Sequence, residues 1–455
     1  MLVTLSLAAL ALGPAPNERG PNNGPATPPL QLFGQYCVSD LDCSLNGVCD
    51  TTTGFCQCDP AWRGAQCGVL NLLPAKMANG YGNGTGSTTS SWGGSVIADP
   101  DDPGKYHMFV GEMTGACGLN SWWRNECFTH AVADAPDGPY APAAGAGKVC
   151  DVTPPSATCP HAKLWNGTYL IFHTSCGTTS EYDAPIANCA AGVTPADGGL
   201  PVLATPAPTP HTDPTPAPTP PPAEPAPNTN PYCGGGSTAV FYSASPDGPW
   251  QQKAVAAPSP EGGFPYAVAN PTAHIFANGT TILLYRSYSA VRTGGTWNVG
   301  APYPGYTLIG LGVAPHWSGP YAMSYFPIFD NMNEDPHLYR DFRGNFHAVF
   351  HGMDQWGCGD QTPCRLNVGR HAFSEDGLQW VYSRVNAWST KVEYEDGSTV
   401  DFARRERPEM ILDADGRITH LLSGVVDGRV EAGQQDRSFT IVVPVCTNSS
   451  CVPKS

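Results

Sequence analysis

Glu334, Asp335, His337, His347 and His351 fall together in "NEDPHLYRDFRGNFHAVFHGM", residues 333 to 353. On a helix, histidines four apart share one face and can hold a metal ion beside a carboxylate base. On a strand, with a rise of about 3.3 Å per residue, the same spacing leaves His347 and His351 about 13 Å apart, too far to share an ion. Paired carboxylates offer a different chemistry, in which one group protonates a leaving atom while the other activates water. The elements that carry these residues decide between the two.

The stretch is one copy of a repeated phrase. "CPHAKLWNGTYLIFHT", "NPTAHIFANGTTILLYRS", "DPHLYRDFRGNFHAVFHGM" and "RPEMILDADGRITHLLSGV" each give proline, a short apolar run, a turn with glycine and a second apolar run. The spacing is the same from Pro271 to Gly279, Pro336 to Gly344 and Pro408 to Gly416, and one residue shorter from Pro160 to Gly167. A looser copy starts at Trp92, with Gly94 in the proline slot. Asn-Gly and Asp-Gly turns between short apolar runs read as hairpins, because those residues accept positive φ. Gly344 then becomes a hairpin turn, the two histidines belong to a strand, and no metal site is expected from them.

A second phrase follows the hairpins: "VADAPDGPYAP", "YSASPDGPWQQ", "GVAPHWSGPYAM" and "AFSEDGLQWVYS". Each runs an apolar strand into a turn followed by Tyr or Trp able to pack between neighbouring units. Two hairpins make a four-stranded unit, and closing the units into a ring removes exposed sheet edges. The predicted fold class is mainly β, a five-bladed β-propeller over residues 69–455, with a β-sandwich as the competing arrangement.

In a propeller the first strand of every blade lines the central channel, so residues around the repeated proline converge. The slots before and after it hold Gly93 and Ser95, Cys159 and His161, Asn270 and Thr272, Asp335 and His337, and Arg407 and Glu409, with Glu334 and Glu406 one residue further out. Glu334, Asp335, Glu406 and Glu409 are the candidate catalytic groups. Arg407, His161, Asn270 and His337 are candidate substrate contacts, and Trp122, Trp123 and Trp356 offer faces on which sugars stack. The plainer reading makes each carboxylate a solvated or blade-to-blade salt bridge, with "RRERPE" at 404–409 supplying the arginines.

The "EDP" opening an inner strand and the "DGPW" or "DGPY" closing an outer hairpin resemble the five-bladed propeller glycoside hydrolases of the arabinanase, β-xylosidase and invertase type. That resemblance covers residues 92 to about 445 and implies a glycosidase with a first-blade Asp as base, a second-blade Asp after proline, and a Glu two residues before proline in the third blade as acid. In an inverting enzyme such a pair stands roughly 6.5–9.5 Å apart to admit water. Here Gly93 and His161 occupy the first two places, and the third repeat offers Asn270. Glu334 has the acid-like placement, but in the fourth repeat. The chain therefore reads as a glycoside hydrolase with a displaced carboxylate cluster or, alternatively, as a non-catalytic carbohydrate- or protein-binding propeller.

Ahead of the repeats, "CVSDLDCSLNGVCDTTTGFCQCDPAWRGAQC" contains Cys37, Cys43, Cys49, Cys56, Cys58 and Cys67. So little apolar material cannot hold a fold without crosslinks, and spacing alone leaves their pairing open. The C-x-C step followed by Trp62, Gly64 and Cys67 resembles an EGF-like domain, here residues 35–68. The resemblance implies bridges Cys37–Cys49, Cys43–Cys56 and Cys58–Cys67, and a spacer or docking role toward an extracellular protein. "LFGQY" stands where calcium-binding EGF-like domains carry acidic residues, so no calcium is expected there.

A net charge of −16 with only 23 Lys and Arg argues against nucleic acid and anionic membrane as partners, and a poly- or oligosaccharide fits better. The apolar run from Leu2 to Leu12 reads as a signal peptide, residues 1–15, ahead of a Pro/Gly/Asn-rich linker, 16–34; no segment reaches membrane-spanning length. Seventeen cysteines and glycosylation sequons at Asn83, Asn166, Asn278 and Asn448 agree with secretion. Residues 198–232 are Pro-rich and expected to be a disordered insertion inside the second unit. Cys117 with Cys127, Cys150 with Cys159, Cys358 with Cys364 and Cys446 with Cys451 are expected local closures. No cofactor is expected, a calcium held by Asp335 in the channel being the one cation considered.

Overall fold

The computed structural model describes residues 36–82, 90–144, 149, 157–175, 189, 236–259, 264–288, 291–293, 296–298, 307–329, 331–353, 368–427 and 437–451. The expected signal peptide and linker, the 198–232 insertion, Asn83, Trp356, Cys150, Cys358, Cys364 and the side chain of Trp123 lie outside them.

Among these residues the chain is mainly β and folds as a five-bladed propeller. Four antiparallel four-stranded sheets follow one another, and a three-stranded sheet ends the series. The first strands of the blades are Ser91–Ala98, Ala157–Trp165, Ala269–Ile275, Asn333–Arg340 and Arg404–Leu412. Each touches the first strand of the next blade, and the fifth touches the first, which closes the ring. The repeated glycines lie in the hairpin turns at positive φ, Gly279 at 89° and Gly344 at 92°, a region a side chain makes costly.

Strand pairing is interrupted at the same place in every first strand. Register shifts fall between Ser91 and Gly94, Ala269 and Thr272, Glu334 and His337, and Glu406 and Glu409, and opposite Phe172 and Thr174 in the second blade. Each shift is a β-bulge, which re-aims side chains. Cys159, Asn270, Asp335 and Arg407 all sit in it at φ between 46° and 59°, a backbone region that costs a non-glycine residue energy and recurs where function over-determines geometry. In the first blade Gly93, at φ 69°, takes the positive-φ slot of Asp335, and Gly94 lines the channel beside Pro160, Pro271, Pro336 and Pro408. A Cβ on Gly93, at φ 69°, would meet the Arg407 side chain at 2.8 Å.

The fifth blade ends with Ser438–Pro444 and has no outer strand of its own. The chain that precedes the first blade covers it instead: Leu72 pairs with Val445 and Tyr81 with Thr440. The apolar core is divided among the seams between blades rather than gathered in one centre.

The structure closes Cys37–Cys49, Cys43–Cys56, Cys58–Cys67 and Cys446–Cys451. Two expected closures are corrected. Cys117 pairs with Cys189, which is held beside it by donating its N–H to Gly115 O. Cys159 is a free thiol, held in the channel by the bulge of its own strand. Asn166, Asn278 and Asn448 are exposed.

Candidate functional site

The bulges aim one layer of side chains into a cup of about 290 Å³ at one end of the channel. Glu334, Asp335, Glu406, Asn270, Cys159 and the arginines 286, 404 and 407 line it, with Trp92, Trp122 and Tyr288 as aromatic walls. Asn270 donates through Nδ2 to Asp335 Oδ1 at 2.5 Å, and Arg407 Nε lies 3.9 Å from the same oxygen. Arg286 Nη1 is 3.0 Å from Glu334 Oε1. Arg404 donates to Glu406 twice, at 2.6 and 2.8 Å, and its guanidinium lies 5.0 Å from the Trp92 ring centroid. Arg407 is anchored on Glu126 at 2.7 Å, a carboxylate with no exposed side-chain surface.

These neighbours push two carboxyls apart. Burial raises Asp335, the adjacent negative charge of Glu334 raises it further, and Arg407 only partly offsets them, so it is pushed up to about 7. Burial alone would raise Glu406 too, but Arg404, His351 and Arg407 outweigh it and hold the group down at about 2. Near neutral pH the cup therefore combines a carboxyl poised to give or take a proton with one fixed as an anion. Environments that separate two acidities in this way mark acid–base assignments. Burial raises the Cys159 thiol to about 12, which leaves it protonated and a poor nucleophile.

The other residues singled out from sequence lie one layer deeper. Glu409 hydrogen-bonds Ser95 Oγ, and its second oxygen lies 3.4 Å from His161 Nδ1 and 3.7 Å from His337 Nδ1. His161 Nε2 in turn lies 3.2 Å from Thr272 Oγ1. Only a narrow passage of about 40 Å³, walled by Pro160, Pro271, Pro336 and Pro408, separates this layer from the cup. Burial raises Glu409 and lowers both histidines well below their ordinary range, so all three favour neutral forms. The structure thus brings Glu334, Asp335, Glu406, Arg407, Asn270 and Trp122 together, and places Glu409, His161 and His337 behind them.

His161, His337 and Glu409 each bring a ligand atom within 4.8 Å of the others, as do Glu334, Asp335 and His351. These two groups are where a cation would be held among the described residues, disulfide cysteines apart. His347 is in neither group; it bonds His371 and Asp341 within its own blade.

Sequence reasoning did not single out Arg286, Glu126 or Tyr288, and offered Arg404 only as a salt-bridge partner. Reading only the residues beside each proline misses the second strand, whose residue opposite the bulge also faces the cup. Arg286 pairs with Ala269 and His351 with Glu334 at that position. Counting on from Gly279 and Gly344 along the second strand reaches both, at the same spacing.

The EGF-like domain family model matches residues 37–67. No curated protein matches the chain. Among solved structures, a family 117 glycoside hydrolase from the marine bacterium Zobellia galactanivorans is 13% identical, with 82% of this chain and 88% of that one covered and a TM-score of 0.46. A family 43 β-xylosidase/α-arabinofuranosidase from a compost metagenome is 10% identical over 84% and 95%, with a TM-score of 0.44. The α-L-arabinofuranosidase of Podospora anserina is 9% identical over 82% and 96%, with a TM-score of 0.48.

Proposed function

We propose that this chain is a secreted glycan-active hydrolase in which Asp335 donates the proton to the leaving oxygen and Glu406 activates water. The observation that carries this reading is the placing of both carboxylates in one aromatic-walled cup, under opposite electrostatic pressure. Glu334, held by Arg286, keeps Asp335 protonated, and Trp92, Trp122 and Tyr288 offer stacking faces for sugar rings. The disulfides and exposed sequon asparagines support an extracellular setting.

One observation favours the second reading, a non-catalytic carbohydrate-binding propeller. Glu406 is held by two hydrogen bonds from Arg404 and Glu334 by Arg286, as in structural ion pairs. A screen of purified protein against plant and algal polysaccharides for reducing-sugar release separates the two. The hydrolase reading expects turnover that falls about 10²–10⁴-fold in Asp335→Asn, the range for loss of a general acid. Glycan binding without turnover in the wild type, unchanged in Asp335→Asn, would establish the second.

A further inference from the structure

Four of the five seams between blades are closed by an aromatic from the turn after a third strand. Tyr140 packs with Ala131 of the first blade and Leu422 of the fifth. Trp250 packs between Phe109 and Ile171, Trp317 between Phe172 and Leu283, and Trp380 against Ile282 and Phe346. Each turn serves the blade before it. The seam between the fourth and fifth blades should receive its aromatic from the fifth, but that blade ends at Pro444 without the turn.

Trp62 of the EGF-like module fills this place. It is 4% exposed and packs with Tyr339, Val349 and Val368 of the fourth blade and Met410 and Leu421 of the fifth. Its ring centroid lies 4.9 Å from that of His371, the planes tilted by 39°. The first blade shows the equivalent arrangement, with His107 bonded to His130 and His130 bonded to Asp247 from the turn that carries Trp250. In the fourth blade His347 bonds His371 in the same way, and the module's carboxylate takes a different partner on that blade: Asp59 accepts from Arg343 at 2.5 and 2.6 Å. The chain leaving the module then bonds both blades, Leu70 N–H to Ala387 O and Leu73 N–H to Pro444 O.

We propose that the EGF-like module is the fifth inter-blade wedge rather than a free docking unit, and that Trp62 and Asp59 are positioning residues for the cup. The seam they close joins the blade carrying Glu334 and Asp335 to the blade carrying Glu406 and Arg407. The wedge role stands on packing alone; its consequence for turnover rests on the hydrolase reading.

Hydrogen exchange of the full chain tests it. In Trp62→Ala, amides of Asn333–Arg340 and Arg404–Leu412 exchange at least about tenfold faster while Thr168–Ser175 in the second blade does not change, the pattern of a local opening. Asp59→Asn shows the same pattern more weakly, and Trp62→Phe restores it. Turnover falls in proportion, and the pH at which activity is lost on the alkaline side moves, because the surroundings of Asp335 loosen. Faster exchange confined to residues 37–67 overturns the proposal. Should Trp62→Ala unfold outright, Asp59→Asn and Trp62→Phe decide by the same criterion. A wild type without turnover would remove the hydrolase reading and leave the exchange result standing.

Discussion

Glu406 and Glu409 lie three residues apart on one strand, on either side of the bulge at Arg407 and Pro408. Glu406 enters the cup against Arg404 and keeps its charge, whereas Glu409 enters the deeper layer among Ser95, His161 and His337, where burial favours the neutral form. Residue type is the same and depth differs by one layer. What separates them is the partner: a bidentate arginine above, and below it desolvated histidines and the charge of Lys163, which do not offset burial. A carboxylate near a propeller channel thus has a role only through the partner that its layer supplies.

The widest gap between the two layers should appear in turnover. Glu406→Gln lowers kcat by about 10²–10⁴-fold, whereas Glu409→Gln, which can still hydrogen-bond Ser95, stays within about threefold. Equal losses would erase the distinction between cup and deeper layer. A smaller effect separates the two cup carboxyls through folding stability. Asp335 is raised in the folded state, from 3.8 to about 7. The folded protein keeps that proton after the unfolded chain has lost it, so stability is fully present below pH 3.8 and lost as pH rises through 7. Asp335→Asn should therefore be more stable than wild type at pH 8 and unchanged at pH 3.5. Glu406 has the opposite sign: its folded value near 2 gives stability above pH 4.5 that is lost as pH falls toward 2. Chemical denaturation across this range checks both slopes.

The propeller was legible because its hairpins repeat two phrases, and the fixed Pro-to-Gly distance reports a strand length. Convergence of Asn270, Asp335 and Arg407 followed from that repeat alone. What the sequence hid was depth. Residues before and after each proline look equivalent on paper, and only the bulge sends Asp335 upward and His337 downward. Cys117–Cys189 was hidden because it spans 72 residues, and spacing favours near neighbours. The role of Trp62 was hidden for another reason. A disulfide-rich module carries a complete signature of its own, and nothing in that signature shows that the fifth blade lacks an aromatic.

The central claim concerns a single carboxyl, and titrating it is the most direct test. Carbon-13 spectra of Asp-labelled protein, assigned with Asp335→Asn, follow the Asp335 carboxyl with pH. The expected midpoint is about 7, falling when Glu334→Gln removes the neighbouring charge. A midpoint near the ordinary value of 3.8, unmoved by Glu334→Gln, would contradict Asp335 as the proton donor and with it the acid–base reading of the cup.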